Sequence, residues 1–159
     1  MAVLKLPYYD YGACPFEGCE YGEWIANENL TILKEMNEAS AISFQIQKGE
    51  RVTAETGVVI TTKPGIAKIL RPFKIGKIDT KPGDQISILT NRGEGCFKVW
   101  FAGNLIDCLA DIDGFYENKG AIEFTQDVKN IWWVKIINSK GKVGWSNQPK
   151  AFDKKDRYK

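Results

Sequence analysis

Four cysteines are the residues of this 159-residue chain best suited to covalent chemistry, and their spacing sorts them into two local pairs. Four residues separate Cys14 from Cys19, and eleven separate Cys96 from Cys108. An even number in nearby pairs favours two disulfides, Cys14–Cys19 and Cys96–Cys108, among three connectivities. The first would pin the loop Pro15-Phe16-Glu17-Gly18, and the second would join the two strands of a hairpin. The competing reading is reduced, buried cysteine acting as a small hydrophobe. A thiol-redox pair at Cys14 and Cys19 is the enzymatic alternative. Such dithiols favour Cys-x-x-Cys at a helix N-terminus, where the thiol pKa falls, and neither feature is present. Zinc held by four thiolates needs two short, knuckle-like pairs, and the Cys96/Cys108 interval is too wide. No metal or cofactor site is expected.

The chain has no histidine. That removes the commonest general base and metal ligand together, and with them Ser-His-Asp and Cys-His catalysis. Asp107, Asp111, Asp113 and Glu117 form an acidic stretch around Gly114. In the register of a calcium-binding helix-loop-helix, however, the first ligand would be Leu109 and the last Gly120. A solvated acidic loop is the expectation, and no catalytic residue is assigned.

The aromatic residues are the better candidates for binding. Tyr8, Tyr9 and Tyr11 crowd a Gly- and Pro-rich segment ill-suited to a core of its own, and Trp100, Trp132 and Trp145 lie in strand-like runs. Such rings either plug a barrel or present flat faces to sugar or peptide.

These residues must be positioned by strands. The run Ile131 to Asn147 places Trp132, Val134 and Ile136 on one side and Trp133, Lys135 and Ile137 on the other. It then turns at Asn138-Ser139-Lys140-Gly141 and returns through Val143 and Trp145, as a β-hairpin does. From Ile42 onward alternating segments are punctuated by turn signals, which argues for small barrels or a sandwich. Val58–Thr62 with Ile66–Leu70, and Phe97–Phe101 with Leu105–Leu109, read as further hairpins. Asn29 to Glu38 is read as containing a strand, and Gly114 to Asn130 as a long connection with one strand near Ala121–Phe124. The segment from Lys48-Gly49-Glu50 to Ala54 echoes Pro82-Gly83-Asp84 to Ile88 at an offset of 34 residues: a Gly-acid turn feeds an alternating strand in both.

Charge is uneven along the chain. Residues 1–38 carry seven acids against two lysines, and residues 135–159 carry eight basic residues against two acids. Two solvated surfaces explain this, as would a basic end docking on the acidic arm or on an anionic polymer. Nucleic acid is not expected, because no recognition helix or RNA-binding motif accompanies the lysines. Beyond Pro149 the chain turns polar and basic, and its last residues are expected to be mobile. No apolar stretch is long enough to span a bilayer. Residues 1–7 contain no signal-peptide core; on the reading that the protein is exported, this chain is its mature form.

Gly83-Asp84-Gln85-Ile86, Trp133-Val134-Lys135-Ile136 and Gly141-Lys142-Val143-Gly144-Trp145 together resemble bacterial SH3-like (SH3b) domains. In that family a Gly-acid turn opens a central strand, and the two Trp-containing segments form the distal hairpin. The resemblance implies an all-β protein of one or two SH3-like small barrels with an irregular N-terminal arm. The arm would span residues 1–24, a degenerate barrel 25–76, and a second barrel 77–152 with an insertion at about 93–130. A basic tail would occupy 153–159. It further implies a non-catalytic binding or scaffolding module, exported to the periplasm or cell envelope, that recognises protein, peptide or cell-wall glycan. A structural subunit of a larger assembly is a further alternative.

Overall fold

The computed structural model describes residues 3–110, 112 and 120–159. They form an all-β protein with a curled, half-barrel sheet. The strands are β1 (Tyr8–Tyr11), β2 (Gly22–Ala26), β3 (Leu30–Leu33), β4 (Ile42–Ile46), β5 (Arg51–Lys63), β6 (Gly65–Ile69), β7 (Lys74–Ile75), β8 (Ile78–Asp79), β9 (Gln85–Gly93), β10 (Cys96–Phe101), β11 (Asn104–Ala110), β12 (Ile122–Gln126), β13 (Lys129–Ile137), β14 (Val143–Ser146) and β15 (Phe152–Asp153). A 3-10 turn, Pro149–Ala151, leads into β15.

The chain divides into two compact units that are not consecutive in sequence. A split unit combines Asp10–Ile60 with Ile131–Lys159, and an inserted unit comprises Thr61–Asn130 with the residues up to Tyr9. The chain passes from one to the other within β1, β5 and β13.

The split unit is built on strands ordered β15-β2-β5-β13-β14-β3-β4, with β1 pairing to β5. Period-2 alternation supplies its core: Trp24 and Ala26, Ile32, Phe44 and Ile46, Val52 and Ala54, and Trp132, Val134 and Ile136 bury together with Phe152. A register shift at Ile32/Leu33 pairs Leu33 with Ile42, so Ile42 lies on the face opposite this core, as bulges re-aim side chains. Gly144 is required where β14 crosses β3. A Cβ there would come within 2.6 Å of the Leu33 carbonyl oxygen.

The inserted unit has strands ordered β11-β10-β9-β6-β12 and a separate β7–β8 hairpin. Ala67, Ile69, Ile75, Ile86, Ile88, Val99, Phe101, Leu109 and Ile112 form its core. Thr80 closes the small hairpin from both sides: its Oγ1 donates to Phe73 O and accepts from Phe73 N at 2.9 Å.

The two units share a topology. Read outward from the same end, β15-β2-β5-β13-β14 corresponds to β12-β6-β9-β10-β11. In each, two short strands (β3 and β4, or β7 and β8) lie in sequence between the second and third members. The Gly-acid echo falls at the same place in both. Gly49 N donates to Ala26 O and Ala26 N to Glu50 O; likewise Gly83 N donates to Ile69 O and Ile69 N to Asp84 O. Gly49 and Gly83 have φ of +90° and +93°, a region that favours glycine. The following acid accepts the backbone N–H three residues earlier: Gln47 N for Glu50, Lys81 N for Asp84.

Several expectations are revised. The segments 25–76 and 77–152 do not coincide with the compact units. Gly83-Asp84 leads into β9 of the inserted unit, whereas the Trp-containing hairpin β13–β14 belongs to the split unit, where Gly49-Glu50 supplies the turn. The β10–β11 hairpin forms, as does a strand, β3, within 29–38. The segment 66–70 does not pair with 58–62; β6 pairs instead with β9 and β12. Pro64 offers no N–H to continue a ladder, and Gly65 packs closely on Ile88 of β9. The C-terminus is docked rather than loose. Phe152 is fully buried against Trp24, and Asn27 holds the turn before it through bonds to Lys150 O and Ala151 O. Asp111, Asp113, Gly114 and Glu117 lie outside the described residues. Asp107 is exposed and pairs with Arg92 at 3.7 Å.

Candidate functional site

The cysteines pair as the spacing favoured, Cys14 with Cys19 and Cys96 with Cys108, with Cα separations of 5.8 and 5.2 Å. Cys96–Cys108 joins β10 to β11. Cys14–Cys19 closes a loop that caps the core of the split unit. Ala13 and Cys19 are buried within that core, and Cys14, Phe16 and Tyr21 pack against it. Phe16 and Tyr21 meet Trp132 edge-on, with ring centroids 6.0 Å away in each case, and Trp24 lies 5.7 Å from the same ring. Tyr21 ties the loop to the barrel. Its hydroxyl donates to Ala13 O and accepts from Trp132 Nε1 at 2.8 Å. Burial pushes that hydroxyl up to about 12; the bond from Trp132 works against the rise and the Asp10 carboxylate adds to it. This part of the arm is therefore a plug.

Trp132 is accordingly a core residue and not part of a groove: it is 7% exposed, and its one polar atom is satisfied internally. The alternation that puts Val134 and Ile136 inward carries Trp132 with them. Tyr9 and Tyr11 are exposed, at 44% and 70%, and flank the buried Asp10 on β1.

Tyr8 and Trp100 occur in the same unit, and Lys98, two residues before Trp100 on β10, reaches Tyr8. The Lys98 ammonium lies 5.2 Å from the Tyr8 ring centroid, within cation–π range. Lys98 and Trp100 alternate with Phe97, Val99 and Phe101, which turn inward, so both occupy the outer face of β10. Across the strands Trp100 is paired on one side with Ser87, itself opposite Ile66, and on the other with the exposed Leu105. The result is a half-buried face bearing an indole, a phenol, aliphatic neighbours and the Lys98 ammonium, of which Leu105 is exposed. Lys98 and the cross-strand neighbours Ile66 and Leu105 were not singled out from the sequence. The period-2 pattern around Trp100 was the signal for Lys98, but the neighbours depend on register.

Trp145 belongs to a row on the split unit. Ile42, Leu33, Trp145 and Lys135 are successive cross-strand partners, and Lys135 extends the row by a 3.1 Å ion pair to Glu55. Leu33, Met36 and Trp145 pack over buried Val58, Ile60 and Trp133, while Ile42 is 54% exposed. A nearby recess of about 310 Å³ is lined by Phe44, Gln45, Glu50, Asn138, Lys140 and Lys142. It mixes both charge signs, and Phe44 is its one aromatic lining residue. No helix among the described residues is long and apolar enough to cross a membrane. No known family model, curated protein or solved structure matches the chain.

Proposed function

We propose that this protein is a non-catalytic binding module of the bacterial cell envelope, and that it takes its ligand on the outer face of β9, β10 and β11. The observation that carries the reading is the cluster of Tyr8, Lys98 and Trp100 beside Ile66 and Leu105. Flat rings stack on sugar faces or cover extended peptide, while one ammonium orients a polar group. Two disulfides on an all-β frame suit an oxidising compartment, which supports the envelope as the place of action. The resemblance to SH3-like domains supports a binding or scaffolding role over an enzymatic one. The thiol-redox alternative gains nothing from the geometry: Cys14 and Cys19 are paired and lie in a loop with no helix. The structural-subunit reading rests on no specific contact.

The test is binding to purified cell-wall sacculi and to a displayed peptide library, compared among wild type, Tyr8→Ala/Trp100→Ala and Trp145→Ala. The double substitution should weaken binding by about tenfold or more, as loss of an aromatic anchor does. Trp145→Ala should leave it within about twofold. Binding that ignores Tyr8 and Trp100, or that is absent for both ligand classes, would overturn the proposal.

A further inference from the structure

The C-terminal segment is held in two stages. Phe152 and Asp153 pair with Ala26 and Ile25, and Phe152 is buried in the core of the split unit. Beyond them the chain reverses through Lys154, whose φ of +74° is unusual for a residue with a side chain. It then lies against the Cys14–Cys19 loop. Glu20 N donates to Lys155 O at 2.9 Å and Arg157 N to Gly18 O at 2.8 Å, flanking an antiparallel bridge between Cys19 and Asp156. Gly18 is in the left-handed region at φ +85°, and a Cβ there would collide with Tyr158 and Asp156. The docked segment therefore reads the backbone shape of a loop that one covalent bond keeps closed. The ion pair between Arg157 and Glu20 is long, at 4.0 Å, and both side chains are about half exposed, so it adds little.

We propose that Lys155–Lys159 form a redox-dependent clip, docked while Cys14–Cys19 is oxidised and released when a dithiol reduces that bond. One thiolate of the dithiol attacks a sulfur of the pair, breaking the S–S bond and forming a mixed disulfide. Its second thiolate resolves this intermediate. Two electrons and two protons pass to Cys14 and Cys19, which end as thiols, while the dithiol ends as a disulfide. The open loop no longer fixes Gly18 and Cys19 in the shape the clip pairs with. Residues from Lys154 onward then swing free about their left-handed hinge, with Phe152 still anchored. The product is a mobile basic segment bearing Lys154, Lys155, Arg157 and Lys159 against a single acid, Asp156. The inference is independent of the binding face on β10.

Amide hydrogen exchange by NMR on the full chain tests this. In Cys14→Ser/Cys19→Ser the Glu20 and Arg157 amides should exchange at least about tenfold faster than in wild type, the change expected when a locally bonded segment opens. The Asn27 amide, bonded to Ala151 O, should be unchanged and reports that β15 remains docked. Cys96→Ser/Cys108→Ser should keep wild-type protection at Glu20 and Arg157 and lose it on adding a phosphine reductant. A second variant covers the case in which the serine pair does not fold. A chain ending at Lys154 leaves the loop sequence intact, and by linkage the equilibrium between its Cys14–Cys19 bond and a dithiothreitol redox buffer should lie about tenfold further towards the reduced form than in wild type. Unchanged protection at Glu20 and Arg157 in a folded serine variant, or a wild-type thiol–disulfide equilibrium in the truncated chain, would overturn the clip.

Discussion

Tyr21→Phe should lower stability at neutral pH and also remove a distinctive alkaline dependence. The hydroxyl serves two groups at once, accepting from Trp132 Nε1 and donating to Ala13 O. Trp132 and Ala13 are both buried, so phenylalanine leaves one donor and one acceptor without a partner. Each such group costs about 1–3 kcal/mol, which puts the loss at roughly 2–4 kcal/mol, less if water enters. The pH effect follows from the hydroxyl being raised from 10.0 to about 12. Below pH 10 the phenol is protonated in folded and unfolded chains alike, and its contribution is fully present. Between pH 10 and 12 the unfolded chain gives up the proton while the folded chain retains it, so stability falls as pH rises. At about 1.4 kcal/mol per pH unit the upper bound is roughly 2.7 kcal/mol. Tyr21 is only partly buried, and solvent screening brings the expectation to about 1–2 kcal/mol. Urea unfolding of wild type and Tyr21→Phe at pH 8, 9, 10 and 11 measures both effects. Their stabilities should converge above pH 10, because only wild type carries this term. Parallel curves across that range would refute the assignment of the shift to Tyr21, and equal stability at pH 8 would refute its role as the tie between loop and barrel.

Gly57→Ala should be among the most damaging single changes, costing above about 3 kcal/mol: its Cβ would stand 2.8 Å from the Trp133 carbonyl oxygen and collide with the Tyr21 hydroxyl. Soluble expression and thermal unfolding check it. Phe152→Ala should cost about 3–5 kcal/mol, which a urea titration would show as a large drop in midpoint; a change below 1 kcal/mol would mean that the C-terminus is not part of the core. Thr80→Val should destabilise by about 1–3 kcal/mol, because Phe73 N loses its acceptor, and Thr80→Ser should recover most of that loss in the same titration.

What was legible in the sequence was local. The β13–β14 hairpin follows from Trp132, Val134 and Ile136 alternating up to the Asn138 turn, and the Asn138 side chain caps that turn through the amides of Lys140 and Lys142. The β10–β11 hairpin and both cysteine pairs were accessible for the same reason: their partners are close in sequence. Partnership between β5 and β13 was not, since alternation says which face a residue takes and not which distant strand it joins. The same gap explains the placement of Gly83-Asp84 with the Trp-containing hairpin. Two equivalent turns existed, and only long-range pairing shows that Gly49-Glu50 is the one in its unit. The last residues read as mobile because charge density dominates residues 153–159. They are held instead by backbone pairing of Lys155 and Arg157 with Glu20 and Gly18, a long-range contact with no local signature. For the candidate face, Tyr8 and Trp100 were visible as aromatic residues, but the contact of Lys98 with Tyr8 spans 90 residues of sequence and has no local signature.

The interrupted barrel is physically reasonable because interruption is inexpensive. Replacing a four-residue connection between two paired strands by the 70 residues Thr61–Asn130 adds about 2–3 kcal/mol of closure entropy if those residues are a flexible coil, since the cost grows only with the logarithm of length. They are not a coil. They fold around Ile69, Ile86, Val99 and Phe101 into a unit with its own core, and a folded insertion has already fixed its ends. The shared strand order and the matching Gly-acid turns suit this account, since each unit buries an alternating face in a core of its own. The two units can therefore differ in what their outer faces carry without disturbing their cores. The inserted unit presents Tyr8, Lys98 and Trp100, while the split unit presents the Trp145 row and closes one end of its core with a disulfide loop. A ligand face on one unit and a redox-dependent clip on the other are compatible, because the residues that form each are separate from those that hold the other unit together.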